Sequence, residues 1–364
     1  MVTEPGGILR RASAFFTADG AERDGLTLLA SSERQNDCRA AAVLEEGGVK
    51  TVLKTASNAF TSARRIEGWA SLIRGTHALG AYMPALIPSR RGNLSEQFDI
   101  GGRTFIAWRE EFAPYPLAQT DEEFGKEEYK QKDAARPKSE DGAPAWQEEL
   151  IALYAKLAAA RLPGGWGMSG YVRLVPFDGE ETDEVEECVL KLGAEIESRF
   201  PALLSRWRDT CGRWKANRDA LAALYPRLPT SVFQADANDT NVLLTGDGHF
   251  AGLIDCNLAG EDTALNAALT LGYVGFAGDD PLTDVERAEK ALGIFARERA
   301  WNADEIDAAP LLWKYITALY WSEVGDMREA DTEDKAAAVL DRIEARLAAG
   351  IDFRNVMTAG GPSE

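Results

Sequence analysis

The chain is poor in the residues that build metal centres and disulfide frameworks, with 4 cysteines and 2 histidines in 364 residues. Cys38, Cys188, Cys211 and Cys256 are scattered, with no Cys-x-x-Cys pair. That spacing excludes the usual zinc sites and a disulfide-stapled fold. Cys256, although beside Asp255, reads as a small buried apolar residue rather than a nucleophile. Long hydrophobic runs are also missing. None reaches the roughly 20 residues that span a bilayer. The start, "MVTEPGGILRRASAFF", has two arginines with no long apolar stretch behind them, so no secretory leader is expected. The reducing cytoplasm is the simplest location. Positive charge is short as well: 40 basic residues face 59 acidic ones, a net charge of −19. That balance argues against a nucleic-acid partner and against a polybasic membrane-surface protein. It keeps the chain soluble and mildly favours a cationic small-molecule partner.

What is present divides the chain. The first third reads as strands, "LTLLAS", "CRAAAVLEE" and "VKTVLKTA", with Gly47-Gly48 as a hairpin turn between the last two. "SARRIEGWASLIRGTHALG" then places Ile66, Trp69, Leu72 and Ile73 at helical spacing. "SEQFDI" and "RTFIAWREEF" are two further strands. A lobe over residues 1–110, a mostly antiparallel sheet with one helix, is expected. Residues 111–364 form a larger, mainly helical lobe. Within it 119–144 is charged and poor in large aliphatics, as an exposed insertion or linker would be. Helices are expected in "WQEELIALYAKLAAARL", on both sides of Pro201, and from Asp262 almost to the end.

An island of strands interrupts those helices at "SVFQADANDTNVLLTGDGHFAGLIDCNLAG", Ser231 to Gly260. "NVLLT" and "FAGLID" flank a glycine-bearing turn, which makes a hairpin. With its centre at Gly248, Asn241 and Asp255 are equidistant from the turn and face each other, on strands about 4.8 Å apart. Asp236 lies just upstream. Carboxylates gathered in this way repel one another unless a cation intervenes. Oxygen donors with room for water suit Mg²⁺ better than zinc.

Gln234-Ala-Asp236, Asn241 and Leu253-Ile254-Asp255 resemble the catalytic loop and metal-binding aspartate of the aminoglycoside phosphotransferase and choline kinase superfamily. These are small-molecule relatives of protein kinases. The family pattern is His-x-Asp-x-x-x-x-Asn, a hairpin, then apolar-apolar-Asp, and Gln234 stands where histidine is usual. The resemblance implies an α+β, two-lobed protein-kinase-like fold and an ATP- and Mg²⁺-dependent phosphotransferase. It makes Asp236 the catalytic base, Gln234 a support for the loop, and Asn241 and Asp255 the metal ligands. It also calls for a phosphate-binding lysine on a strand and a glutamate on the next helix to orient it. Lys54 and Glu67 fit those places, with Lys50 on the same strand face in reserve. The first two strands lack Gly-x-Gly-x-x-Gly; Ser31, Ser32 and Asn36 offer hydroxyl, amide and backbone donors instead. Arg109 to Ala113 falls where the family's backbone reads adenine.

For the acceptor, the candidates are Glu261 and Asp262 after the hairpin, and Trp321 and Glu323 in "LLWKYITALYWSEVGD". Aromatics mixed with acids hold an ammonium group by cation–π attraction and charge. Against that, Trp313, Ile316 and Tyr320 have the spacing of an ordinary core face, and Glu261 and Asp262 have the place of a helix cap. The expected acceptor is a hydroxyl of a small molecule, an amino-bearing one slightly favoured. A neutral sugar, a non-catalytic nucleotide-binding protein and a metal-assisted hydrolase remain alternatives. The sequence does not set the oligomeric state.

Overall fold

Glycine and strand parity shape the first part of the molecule. The computed structural model describes residues 4–34, 36–119, 137–138, 144–170, 174–176, 181–273 and 284–359. A six-stranded antiparallel sheet is built from β1 (Thr27–Arg34), β2 (Asp37–Glu46), β3 (Val49–Ser57), β4 (Leu86–Ile87), β5 (Ser95–Ile100) and β6 (Arg103–Glu111). Its order is β1-β2-β3-β6-β4, with β5 also paired to β6. Gly47 and Gly48 have φ of 60° and 82°, the left-handed pair that a two-residue hairpin turn requires and that side chains resist.

Each face of the sheet has its own cover. Cys38, Ala40, Ala42 and Leu44 alternate along β2 and meet Ile8, Leu9, Ala12 and Phe16 of an N-terminal helix, α1 (Pro5–Ser13), and the loop after it. The sequence reading did not anticipate α1. Its apolar stripe is only about two turns long, and what marks the start is Pro5, placed where a missing N–H costs nothing. On the other face lies α2 (Ala63–Ala78), capped by the Ser62 hydroxyl on Arg65 N. Ile66, Trp69, Leu72 and Ile73 are all buried as their spacing predicts, and the Trp69 and Trp108 rings meet edge-on at 5.5 Å. Each such side chain contributes about 1.5–3 kcal/mol by leaving water.

The remainder is helical around two small strand pairs. The helices are α3 (Ala145–Ala160), α4 (Glu184–Arg199), α5 (Leu204–Leu224), α6 (Ala264–Tyr273), α7 (Asp284–Glu298), α8 (Ala303–Thr317), α9 (Trp321–Glu329), α10 (Glu333–Ala348) and α11 (Arg354–Ala359). Between α5 and α6 run β7 (Thr230–Phe233), β8 (Val242–Leu244), β9 (Phe250–Leu253) and β10 (Gly260–Thr263). β8 pairs with β9, and β7 with β10. The Gly260–Thr263 stretch is a strand rather than a helix cap; the cap of α6 is Thr263, whose hydroxyl accepts from Asn266 N at 3.0 Å. The charged 119–144 segment lies outside the described residues apart from Gln119, Pro137, Lys138 and Pro144. No helix among the described residues is long and apolar enough to cross a membrane.

The segment after α2 reaches the β8–β9 hairpin. Tyr82 N donates to Ala251 O at 2.8 Å, and Leu253 N donates to Tyr82 O at 2.9 Å. Gly252 makes this possible, since a Cβ there would stand 2.0 Å from Tyr82 O. The sheet is thereby held against the elements that carry Asn241 and Asp255.

Candidate active site

Strand register assigns one face of the sheet. Lys54 pairs with Ala41 on β2 and with Trp108 on β6, and Val52 pairs with Glu110. Residues directly opposite share a face, and so do residues two apart. Lys54, Trp108 and Glu110 therefore point the same way. The Lys54 ammonium is 2.7 Å from Glu110 Oε1 and 3.5 Å from Asp255 Oδ1. Burial pulls its pKa down, but the charges of Asp255 and Glu110 outweigh burial, and the net shift is upward. Burial pushes the Glu110 carboxyl up, and Lys54 partly offsets it.

The expected partner Glu67 is thus corrected. It is exposed on α2, and Lys54 is paired with Glu110 and Asp255 instead. The sequence reading missed Glu110. The available signal was its parity with Trp108 in "WREE", which matters only once β6 is known to lie beside β3. Lys50 is exposed near the β2–β3 turn, opposite Glu45. The Arg109 side chain faces away, its Nη1 donating to Phe16 O at 2.6 Å.

The catalytic-loop candidates are locked by amides. Gln234 leaves β7 fully buried, and its Nε2 reaches three carbonyls: Asp236 O at 3.1 Å, Ile254 O at 3.0 Å and Asp255 O at 2.8 Å. One side chain ties the loop before the hairpin to the end of β9. The Tyr154 hydroxyl donates to Gln234 O, and the Tyr154 ring stacks on Phe233 at 5.5 Å. The Asp236 carboxylate accepts from Asn238 Nδ2 at 2.8 Å and from Asn241 Nδ2 at 3.2 Å.

The hairpin is displaced by one residue from the expected pairing. β9 carries a bulge: Leu243 pairs with Gly252, Leu244 with Phe250, and Ala251 is the extra residue. Asn241 therefore lies across from Ile254, whose N–H donates to Asn241 O at 2.9 Å. Asp255 sits one step beyond with φ 60°, a left-handed conformation uncommon for a residue with a side chain. Its carboxylate accepts from Asn257 N at 3.4 Å as well as from Lys54. The donors fit a hard cation. The nitrogen of the Asn241 amide is committed to Asp236, which leaves its oxygen available, and Asp255 brings a carboxylate. No cluster of three or more His, Cys, Asp or Glu that would hold a metal by itself occurs among the described residues. Such a site therefore relies on ligand oxygens from elsewhere.

Two cavities flank this arrangement. One lies beneath the sheet and is lined by Ser31, Ser32, Arg39, Lys54, Asp255 and Asn257 among others. The other lies beside Asp236 and is lined by Tyr154, Ser169, Asp262, Asn266 and Thr270 among others. Asp262 Oδ1 accepts from Thr263 N at 2.6 Å and Oδ2 from Asn266 Nδ2 at 2.7 Å. Of the four acceptor candidates, Asp262 alone lines this cavity. Glu261 braces a loop, accepting from Thr230 Oγ1 at 2.9 Å and Gly165 N at 3.0 Å. Glu323 is buried, ion-paired to Arg346 at 2.7 Å, and caps α9 through Tyr320 N at 3.1 Å. Trp321 Nε1 donates to Glu184 Oε1 at 3.0 Å, under Lys191. The expectation that Trp321 and Glu323 face the acceptor is corrected: their polar atoms hold α4, α9 and α10 together.

No protein-family model matches the chain. Part of it is similar to the homoserine kinases of Nitrobacter winogradskyi, 40% identical over 100 residues, and Nitrobacter hamburgensis, 39% identical over 100 residues. The match covers 27% of this chain and 30% of the length of each relative. Among solved structures, a microcompartment-associated aminopropanol kinase superposes with a TM-score of 0.52 at 12% identity, covering 98% of both chains. An amicoumacin kinase in complex with AMP-PNP, Ca²⁺ and Ami gives 0.50 at 16%, covering 96% of both. The chain has the two-lobed, α+β, protein-kinase-like fold of these small-molecule kinases.

Proposed function

We propose that this chain is an ATP- and Mg²⁺-dependent phosphotransferase that moves the γ-phosphoryl group to a hydroxyl of a small amino-bearing acceptor. The observation that carries the reading is the placement of Asp236 and Asp255. Each lines a different cavity, and the Gln234 amide bonds to the backbone of both. The cavity with Lys54 takes the nucleotide, and the cavity with Asp236 takes the acceptor. Lys54, oriented by Glu110, holds phosphate oxygens. Asn241 and Asp255 hold Mg²⁺, which when bound neutralises charge on the triphosphate. Asp236 orients the acceptor hydroxyl and takes its proton. The hydroxyl oxygen bonds to the γ-phosphorus, and the bond from that phosphorus to the bridging oxygen breaks, leaving the electron pair on ADP. Gln234 keeps the two aspartate-bearing segments in register.

Three observations support the amino-bearing acceptor. Asp236 and Asp262 line the same cavity. The partial relatives are named homoserine kinases, and one fold neighbour is an aminopropanol kinase; the first name denotes a hydroxy amino acid and the second an amino alcohol, each with an amino group and a hydroxyl. The test is ATP consumption across hydroxy amino acids, amino alcohols, amino sugars and neutral sugars, with the phosphate ester identified by mass. Turnover confined to amino-bearing acceptors is the expected result. A neutral sugar as the best acceptor defeats the amino preference, and nucleotide binding without turnover on any acceptor defeats the enzyme reading.

A further inference from the structure

The cavity beneath the sheet holds a second cation that the proposed reaction has not used. Arg39 pairs with Ala56, two residues along from the Ala41–Lys54 pair. Arg39 and Lys54 thus point from neighbouring strands into one cavity, as diagonal neighbours roughly 7–8 Å apart at the backbone. Arg39 Nη2 donates to Asp37 Oδ2 at 2.6 Å, and Asp37 Oδ1 is held by Asn58 Nδ2 at 2.9 Å. The guanidinium carbon lies 5.8 Å from the Phe60 ring centre. These contacts fix the fork on one side. Its Nε and Nη1 donate to nothing among the described residues.

β1 ends at Arg34 and β2 begins at Asp37. That connection is two residues long and contains no glycine to bring its backbone close to a row of phosphates. Polar side chains from the strands occupy the place instead. Ser32 lines the cavity and pairs with Arg39, whereas Ser31 pairs with Ala40 on the α1 face and lends the cavity its backbone. A separate observation comes from the opposite wall. Asn257 is nine-tenths buried, and its Oδ1 has no hydrogen-bond partner among the described residues. A buried amide left in that state calls for a ligand. Turned either way, it offers an N–H to a phosphate oxygen or an oxygen to a cation.

We infer that Arg39 is a phosphate-contacting residue, gripping the nucleotide's terminal phosphates from the strand in place of a glycine-rich loop. The inference rests on the nucleotide assignment proposed above. Arg39 presents a planar, permanently charged fork that matches phosphate geometry, and Lys54 supplies the neighbouring point charge.

Isothermal titration of wild type and Arg39→Ala with ATP, ADP, AMP and adenosine, all with Mg²⁺, tests it. Affinity for ATP and ADP is expected to fall by about 10-fold or more in the variant, with AMP and adenosine bound as by wild type. Arg39→Lys is expected to recover part of the loss. Equal weakening of all four ligands marks Arg39 as merely structural and overturns the inference, as does unchanged ATP binding. Wild type binding none of the four overturns the nucleotide assignment itself, a separate result. If Arg39→Ala unfolds, Arg39→Gln carries the same comparison, since it keeps the stem beside Phe60 and a donor to Asp37.

Discussion

The two cavities are built in opposite ways. The one beneath the sheet is walled mainly by neighbouring antiparallel strands, so register decides which of their side chains enter it. Arg39, Lys54 and Trp108 share a face because β2, β3 and β6 are neighbours. The cavity beside Asp236 draws Tyr154, Ser169, Asp236 and Asn266 from four separate stretches of chain. The first carries cations whose charge is balanced by Glu110, Asp255 and Asp37. The second carries carboxylates amid apolar walls. A face set by strand parity tolerates sequence change while keeping its direction. A wall assembled from distant segments depends on every packing contact that brings them together.

The difference is broken hardest at Asp236. Asp236→Asn removes the proton acceptor yet keeps nearly the same shape. Its amide oxygen still accepts from buried Asn241, and exposed Asn238 gives way. Turnover with the best acceptor is expected to fall by about 10²–10⁴-fold, with ATP affinity by titration unchanged. Parallel loss of ATP affinity would move Asp236 to the nucleotide side and erase the distinction.

The β8–β9 hairpin, which runs between Asn241 and Asp255, is the next place to press. Gly252→Ala drives a methyl against Tyr82 O, and overpacking of this kind costs about 1–3 kcal/mol. Chemical denaturation should show that loss, with reduced turnover in the protein that remains folded. A fully stable variant would mean that the hairpin moves freely relative to the segment after α2.

On the nucleotide side, Glu110→Gln and Glu67→Gln separate the observed partner of Lys54 from the expected one. Glu110→Gln is expected to lower turnover by about 10-fold, as slight misplacement of a positioned group does. Glu67→Gln is expected to leave it unchanged. The reverse outcome would restore Glu67 and discard the pairing through β6.

That contrast also shows what the sequence discloses. The gathering of Asp236, Asn241 and Asp255 around one hairpin is legible in the sequence, because local spacing carries that geometry. The direction of Lys54 is legible through strand alternation. Glu110 is not, because nothing local says that β6 lies beside β3. Order along the chain points to Glu67, but the buried stripe of Ile66, Trp69 and Ile73 turns it outward. The bulge at Ala251 left no trace in the apolar pattern, and it moved Asp255 one step past Asn241. Trp321 and Glu323 fitted a binding composition, but the first turn of α9 needed a cap and Arg346 needed a carboxylate. Composition alone does not separate those two uses.

The smallest expected effect lies at the hairpin's tip, far from the charges of either cavity. His249 Nδ1 meets Glu149 Oε1 at 2.7 Å, and Glu149 Oε2 also accepts from Phe250 N at 2.7 Å. α3 thereby steadies the turn of the hairpin. The hydrogen bond to Glu149 raises the His249 pKa above its ordinary 6.5. A raised folded-state pKa means that the contribution is complete below about pH 6.5 and is lost as pH climbs through the raised value. The pair is largely exposed, so the contribution is small and screened by salt. Thermal unfolding from pH 5.5 to 8.5 should show wild type losing a little more stability than His249→Gln, which keeps a polar side chain but does not titrate. ATP affinity should be the same in both at every pH, since the tip touches neither cavity. Identical pH slopes for the two proteins would remove His249 from the account of the hairpin. A pH-dependent difference in ATP affinity would show instead that the tip and the nucleotide wall move together.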